Sequence, residues 1–198
     1  MHKRGFLTAL GSTALATAAI PAAGAPRSPG PALLTLTGAI GRGNRGPLDP
    51  ALDQMMAKQQ LRFDRAHTFD YAALLALPAQ GIRPTLEYDA KVHALRGPLL
   101  VDVLQAAGVA VHNAHQLVLR AIDGYTVNLT LAQARRYRFI VATQLDERPM
   151  PLGGLGPLWA VFDADRHPDV MARPLAQRYA QCPWGLYHIE VQATQAVG

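Results

Sequence analysis

Disulfide chemistry within the chain is excluded by count, because Cys182 is the only cysteine among 198 residues. A lone thiol is left with burial, metal ligation or an intermolecular link, and the bulky setting Gln181-Cys182-Pro183-Trp184 favours burial. Charge is scarce too, at 17% Asp, Glu, Lys and Arg. Beyond residue 25 basic residues stand singly except in Arg135-Arg136-x-Arg138, so no basic stripe with interleaved aromatics exists and nucleic acid is a poor partner. Beyond residue 25 no apolar run is long enough to span a bilayer as a helix. Short catalytic signatures are missing as well. Gly153-Gly154-Leu155-Gly156 lacks the Lys-Ser/Thr of a phosphate loop and reads only as a flexible rim, and no G-x-S-x-G occurs. What is present is a 49% apolar composition, too apolar for a disordered chain. The length suits one domain that buries its core without disulfides or metal.

The first residues carry their own pattern. Met1-His2-Lys3-Arg4 is basic, Phe6 to Ile20 is apolar or small without charge, and Ala23-Gly24-Ala25 has the small-x-small form that signal peptidase reads. The apolar stretch is rich in Ala and Thr, which favours a cleaved signal over a retained anchor. Lys3-Arg4-Gly5-Phe6-Leu7 departs from a twin-arginine export signal by one Lys. The expectation is a signal peptide over 1–25 and a single domain over 26–198, in the periplasm or secreted, with no stable membrane insertion after cleavage. Losing Lys3 and Arg4 lowers the net charge from +5 to +3, with 17 basic residues against 14 acidic ones.

Periodicity and turn residues predict many strands and short helices, an α+β pattern. Ala32 to Thr37 reads as a first strand. Asp49 and Pro50 read as cap and first residue of a helix with Leu52, Met55, Met56 and Gln59 on one face. Asp70 caps a second helix, Tyr71 to Leu77, which Pro78 stops. Ile82 to Tyr88 reads as a strand, and Leu99 to Ala107 as a helix ended by Gly108. Gln116 to Ile122 and Tyr125 to Leu129 form a hairpin around Asp123-Gly124. Leu131 to Arg135 makes a helical turn, and Tyr137 to Thr143, Leu158 to Phe162 and Tyr187 to Val191 complete the strands.

From about residue 69 the order of landmarks resembles the molybdopterin-binding domain of the sulfite oxidase superfamily, in its small, exported, single-domain form. The landmarks are Phe69-x-x-x-x-Leu74-x-x-Leu77-Pro78, Arg96-Gly97-Pro98-Leu99-Leu100 leading to Gly108, and Ala121-x-Asp123-Gly124-Tyr125. They continue with Ala142-Thr143-x-Leu145-Asp146-x-Arg148-Pro149, Gly156-Pro157-Leu158-Trp159 and Trp184-x-x-x-x-Ile189-x-Val191. The resemblance implies an α+β, mixed-sheet, sulfite-oxidase-type molybdopterin-binding fold. It also implies molybdopterin as cofactor, oxidoreductase chemistry and a periplasmic redox partner. In that family one cysteine ligates molybdenum, between the post-helix proline and the Gly-Pro-Leu turn. Here Ala79 to Arg96 contains Glu87, Tyr88, Asp89 and His93 but no cysteine, and Cys182 matches another part of the pattern, so the resemblance supplies no molybdenum ligand.

From the residues themselves, a ligand site is expected at His93, Arg96, Asp123, Tyr125 and Arg148, with no catalytic residue assigned. Arg96 precedes the expected helix start, where free N–H groups favour an anion and a guanidinium adds a bidentate fork. His93 stands just before it, as phosphate donor, replacement ligand or satisfied local group. Asp123 and Tyr125 sit at the hairpin turn and Arg148 at a second turn. The expected ligand is a small anion or a pterin. His112-x-x-His115 is a metal pair or a solvated loop. Two readings remain: a molybdopterin-dependent oxidoreductase-like protein, and a cofactor-free module that reuses the fold to bind a small molecule or a protein.

Overall fold

The computed structural model describes residues 30–112 and 115–193, so the expected signal segment lies outside the described residues. The architecture is α+β. A five-stranded mixed sheet runs in the order β2-β1-β11-β5-β6, with β1 Leu34–Gly38, β2 His67–Phe69, β5 Gln116–Ala121, β6 Thr126–Thr130 and β11 Leu186–Gln192. β1 and β11 pair in parallel and the other neighbours are antiparallel. A four-stranded antiparallel sheet has the order β3-β4-β8-β9, from β3 Ala79–Ile82, β4 Leu95–Pro98, β8 Gln144–Leu145 and β9 Arg148–Pro149. β7 Ile140–Ala142 and β10 Trp159–Val161 form a buried pair. Helices are short: α1 Gln54–Lys58, α2 Tyr71–Leu75, α3 Leu100–Ala106, α4 Leu131–Arg136 and α5 Pro168–Met171. No helix among the described residues is long and apolar enough to cross a membrane.

One apolar cluster runs from Leu34 in β1 to Val191 in β11. α3 puts Leu100, Val103 and Leu104 into it, and each fully buried side chain contributes about 1.5–3 kcal/mol. α4 is held by a capping box: the Thr130 hydroxyl accepts from Gln133 N at 3.0 Å, while Gln133 Oε1 accepts from Thr130 N at 2.9 Å. In β11 the register shifts between Leu186 and His188. Leu186, Ile189 and Val191 thus share the core cluster while Tyr187 packs with Met56 and Leu61 beyond the sheet. His188 is 1% exposed and hydrogen-bonds the Thr37 hydroxyl through Nε2 at 3.0 Å.

Several expected elements hold. Asp70 caps α2 by accepting from Ala73 N at 2.7 Å, and Gly108 closes α3 with φ +76°. The β5–β6 hairpin turns at Asp123-Gly124. Four readings are corrected. Asp49 does not start a long helix: its carboxylate accepts from Ala51 N and Leu52 N, and Asp53 binds Arg45 and Asp49 N. The chain therefore turns before α1, Leu52 is left 82% exposed, and of that expected face only Met56 is buried. The strand expected over 82–88 lies earlier, at β3, because Pro84 has no N–H for a ladder. Residues 83–91 make a loop tied to Asp165, whose carboxylate accepts from Thr85 N and Oγ1 at 2.7 Å each. β7 starts three residues late, because Arg138 (φ +54°) and the Phe139 N–H to Ala134 O bond still belong to the end of α4. Arg96-Gly97-Pro98 is not a helix-opening turn but strand β4, pairing with β3 and β8. Gly97 sits so close to the Val141 carbonyl that a β-carbon there collides with it.

Candidate functional site

The five expected site residues part company. Arg96 is exposed in the middle of β4, and among the described residues its guanidinium has no hydrogen-bond or ion-pair partner. α3 starts four residues later and has only seven residues, so the anion argument built on a helix start at Arg96 fails. His93 is committed elsewhere. Nδ1 lies 2.7 Å from Asp146 Oδ2 and Nε2 lies 3.0 Å from Asp89 Oδ2. The hydrogen bond to Asp146 and then that to Asp89 raise its pKa, while the His93 bond lowers the pKa of each carboxylate. Asp146 also accepts from Ala94 N at 2.9 Å. His93 is therefore a clasp between the 89–94 loop and the β8–β9 turn, where Asp146 and Glu147 both have positive φ. Arg148 is exposed beside that clasp and lines an open groove with Leu145, Met150 and Leu155.

Asp123 and Tyr125 do come together, in a cleft of about 310 Å³. Three segments build it: Glu87 and Tyr88 from the 83–91 loop, the β5–β6 turn, and residues 176–184 with Tyr179, Cys182 and Trp184. Two hydrogen bonds from tyrosine hydroxyls fasten the segments together. Tyr125 donates to Ala180 O at 2.8 Å, and Tyr179 donates to Thr85 O at 2.7 Å. Asp123 Oδ1 accepts from Tyr125 N at 2.9 Å, which sets the turn and leaves its second oxygen without a hydrogen bond among the described residues. Tyr88 and Tyr125 are 54% and 49% exposed, so aromatic surface stands open at the mouth. The Tyr88 phenol is pushed up to about 12 by burial and then by the Glu87 carboxylate, with the Trp184 side chain working against the rise. No Lys or Arg lines the cleft.

Cys182 forms part of the wall but is only 3% exposed. Burial pushes its thiol pKa well up, a backbone hydrogen bond from Phe162 offsets this in part, and nearby Glu87 adds to the rise. A protonated thiol in an apolar setting is inert. Its carbonyl accepts from Trp159 Nε1 at 2.8 Å, so the same segment anchors the core.

A second cavity, of about 250 Å³, is basic. It is lined by Gln80, Tyr137, Arg138, Asp163, Arg166 and His167, among others. Arg138 reaches Gln80 Oε1 at 3.4 Å, and Asp163 Oδ1 is buried without a hydrogen bond. The imidazoles of His112 and His115 stand 5.6 Å apart, but His115 Nε2 donates to Ala110 O at 2.8 Å, which leaves Nδ1 as its lone-pair nitrogen. Among the described residues no group of three His, Cys, Asp or Glu is placed to hold a metal.

Reading the sequence missed Glu87, Tyr88, Tyr179 and Trp184 as neighbours of Asp123. The available signal was a carboxylate next to an aromatic in a loop that Pro84 keeps out of the sheet. No protein-family model matches the chain, and no curated protein is significantly similar to it.

Proposed function

We propose that this chain is a small-molecule-binding module that reuses a sulfite-oxidase-type frame without molybdenum, exported to the periplasm or beyond. Its ligand occupies the cleft of Asp123 and Tyr125. The observation that carries this reading is the cleft's lining: open tyrosines, a half-buried indole, two carboxylates and no basic side chain. A cavity of this size with aromatic walls and a few polar groups is the ordinary form of a small-ligand site.

The molybdopterin cofactor that the resemblance implies does not fit these residues. In the resembled family one protein thiolate ligates molybdenum, and the single thiol here is buried and held protonated. The pterin carries an anionic phosphate, whereas Glu87 and Asp123 put negative charge on the walls. The alternative, a molybdopterin-dependent oxidoreductase with a periplasmic redox partner, draws on the arginines of the second cavity, which has no thiol.

The test is metal and pterin analysis of protein recovered from its export compartment, alongside native mass spectrometry for a retained ligand. Sub-stoichiometric molybdenum and a releasable organic molecule are expected. One molybdenum and one pterin per chain would overturn the reading.

A further inference from the structure

We infer that the cleft selects small organic cations, quaternary or primary ammonium compounds, over neutral and anionic molecules of the same shape. This rests on the proposed role of the cleft as a ligand site and adds the chemistry of the ligand. The π-faces of tyrosine and tryptophan attract a cation electrostatically, and a cage of such faces is the recurrent device for alkylated ammonium groups. Four aromatic residues line this cleft: Tyr88, Tyr125, Tyr179 and Trp184. Two of them, Tyr88 and Tyr125, are about half exposed.

Charge gives the sign. Glu87 and Asp123 are the ionisable acids of the lining, and no Lys, Arg or His joins them. Asp123 uses one oxygen for the turn and keeps the other for a ligand. Glu87 stands next to the Tyr88 hydroxyl and the protonated Cys182 thiol, neither of which neutralises it. A cation in the cleft meets two carboxylates and four aromatic residues in its lining; an anion meets repulsion from both. The tyrosine hydroxyl bonds to Ala180 and Thr85 hold the walls in place before binding, so the ligand does not have to order them.

The experiment is calorimetric titration of the folded, exported chain with choline, with tetramethylammonium, and with 3,3-dimethylbutan-1-ol, the neutral isostere of choline. Both cations should bind, and choline about tenfold or more tightly than the alcohol. Glu87→Gln and Asp123→Asn remove charge and keep shape, and the Asn oxygen can still accept from Tyr125 N. Each should weaken choline about tenfold and leave the alcohol unchanged. Tyr125→Phe keeps the ring and should retain cation preference, whereas Tyr125→Leu should lose it. Equal binding of choline and the alcohol overturns the cation assignment while leaving the cleft a ligand site. Failure of both cations to bind wild-type protein also overturns it. Stoichiometric molybdenum in the isolated protein would instead overturn the reading underneath.

Discussion

Acidification from about pH 7.5 to about pH 5 tests the polar face of the central sheet through His188. Burial, and then the neighbouring Arg120, lower the pKa of this imidazole to about 3, and Glu190 opposes them only in part. The hydrogen bonds fix its tautomer. Arg120 Nη1 can only donate, so at 3.2 Å it meets a lone pair on Nδ1, and Nε2–H then donates to the Thr37 hydroxyl. Protonating Nδ1 breaks the first bond and sets two cations against each other in a buried site. The unfolded chain protonates its histidine near pH 6.5. Between about pH 6.5 and 3 the unfolded state therefore holds the extra proton, and stability falls as pH falls. Each pH unit below 6.5 removes about 1.4 kcal/mol, so this one group costs about 2 kcal/mol by pH 5.

The assay is urea unfolding of wild type and His188→Gln at both pH values. Gln does not titrate, so the variant should be less stable near neutrality but lose about 2 kcal/mol less on acidification. Titrating groups not coupled to His188, such as His67 with its burial-lowered pKa, are common to both proteins and cancel in the difference. Equal acid losses in the two proteins would refute the argument. So would nitrogen chemical shifts showing a charged His188 ring in folded protein at pH 6.

His93 should show the opposite sign: its folded pKa is raised, so its contribution is present below about pH 6.5 and lost as pH rises through the folded value. His93→Ala should therefore lower the melting temperature more at about pH 6 than at about pH 9, and an equal loss at both would show that the clasp to Asp146 and Asp89 is not ionic. Gly97→Ala drives a methyl into the Val141 carbonyl across β4 and β7, and should destabilise by about 1–3 kcal/mol or prevent folding. Unchanged denaturant midpoints would show that these strands stand farther apart. Cys182 should resist an aromatic disulfide reagent in folded protein and react fully in urea, and rapid native labelling would contradict a buried, protonated thiol.

Much of the fold was legible because local chemistry and tertiary need agree. Asp70, Gly108 and Asp123-Gly124 each satisfy or turn the backbone within a few residues, so their signals survive folding. The failures come from distant partners. Asp49 and Pro50 announce a helix, but Arg45 takes Asp53 into an ion pair and the chain makes an Asx turn instead. Ile82 to Tyr88 alternates like a strand, but Pro84 interrupts the ladder and Asp165, eighty residues away, binds the Thr85 backbone and hydroxyl. Arg96-Gly97-Pro98 reads as a turn by composition. Its glycine serves the close approach of β7, which no local pattern discloses.

The site was less legible for a related reason. Asp123 and Tyr125 stood out because a turn residue declares itself, but the charge of the ligand was inferred from Arg96 and His93. Those two side chains are not in the cleft. The β4 ladder leaves Arg96 exposed, and two carboxylates hold His93. Glu87 joins Asp123 in setting the electrostatics instead, and it reaches Asp123 only because Tyr179 and Tyr125 bond the three segments together. Loop aromatics read one at a time are indistinguishable from core residues, and Tyr179 is indeed buried. Only the fold shows that Tyr88 and Tyr125 open onto the same space as two unneutralised acids. The sign of a binding site follows from the charges that share its cavity, and a strong cation elsewhere on the chain does not predict it.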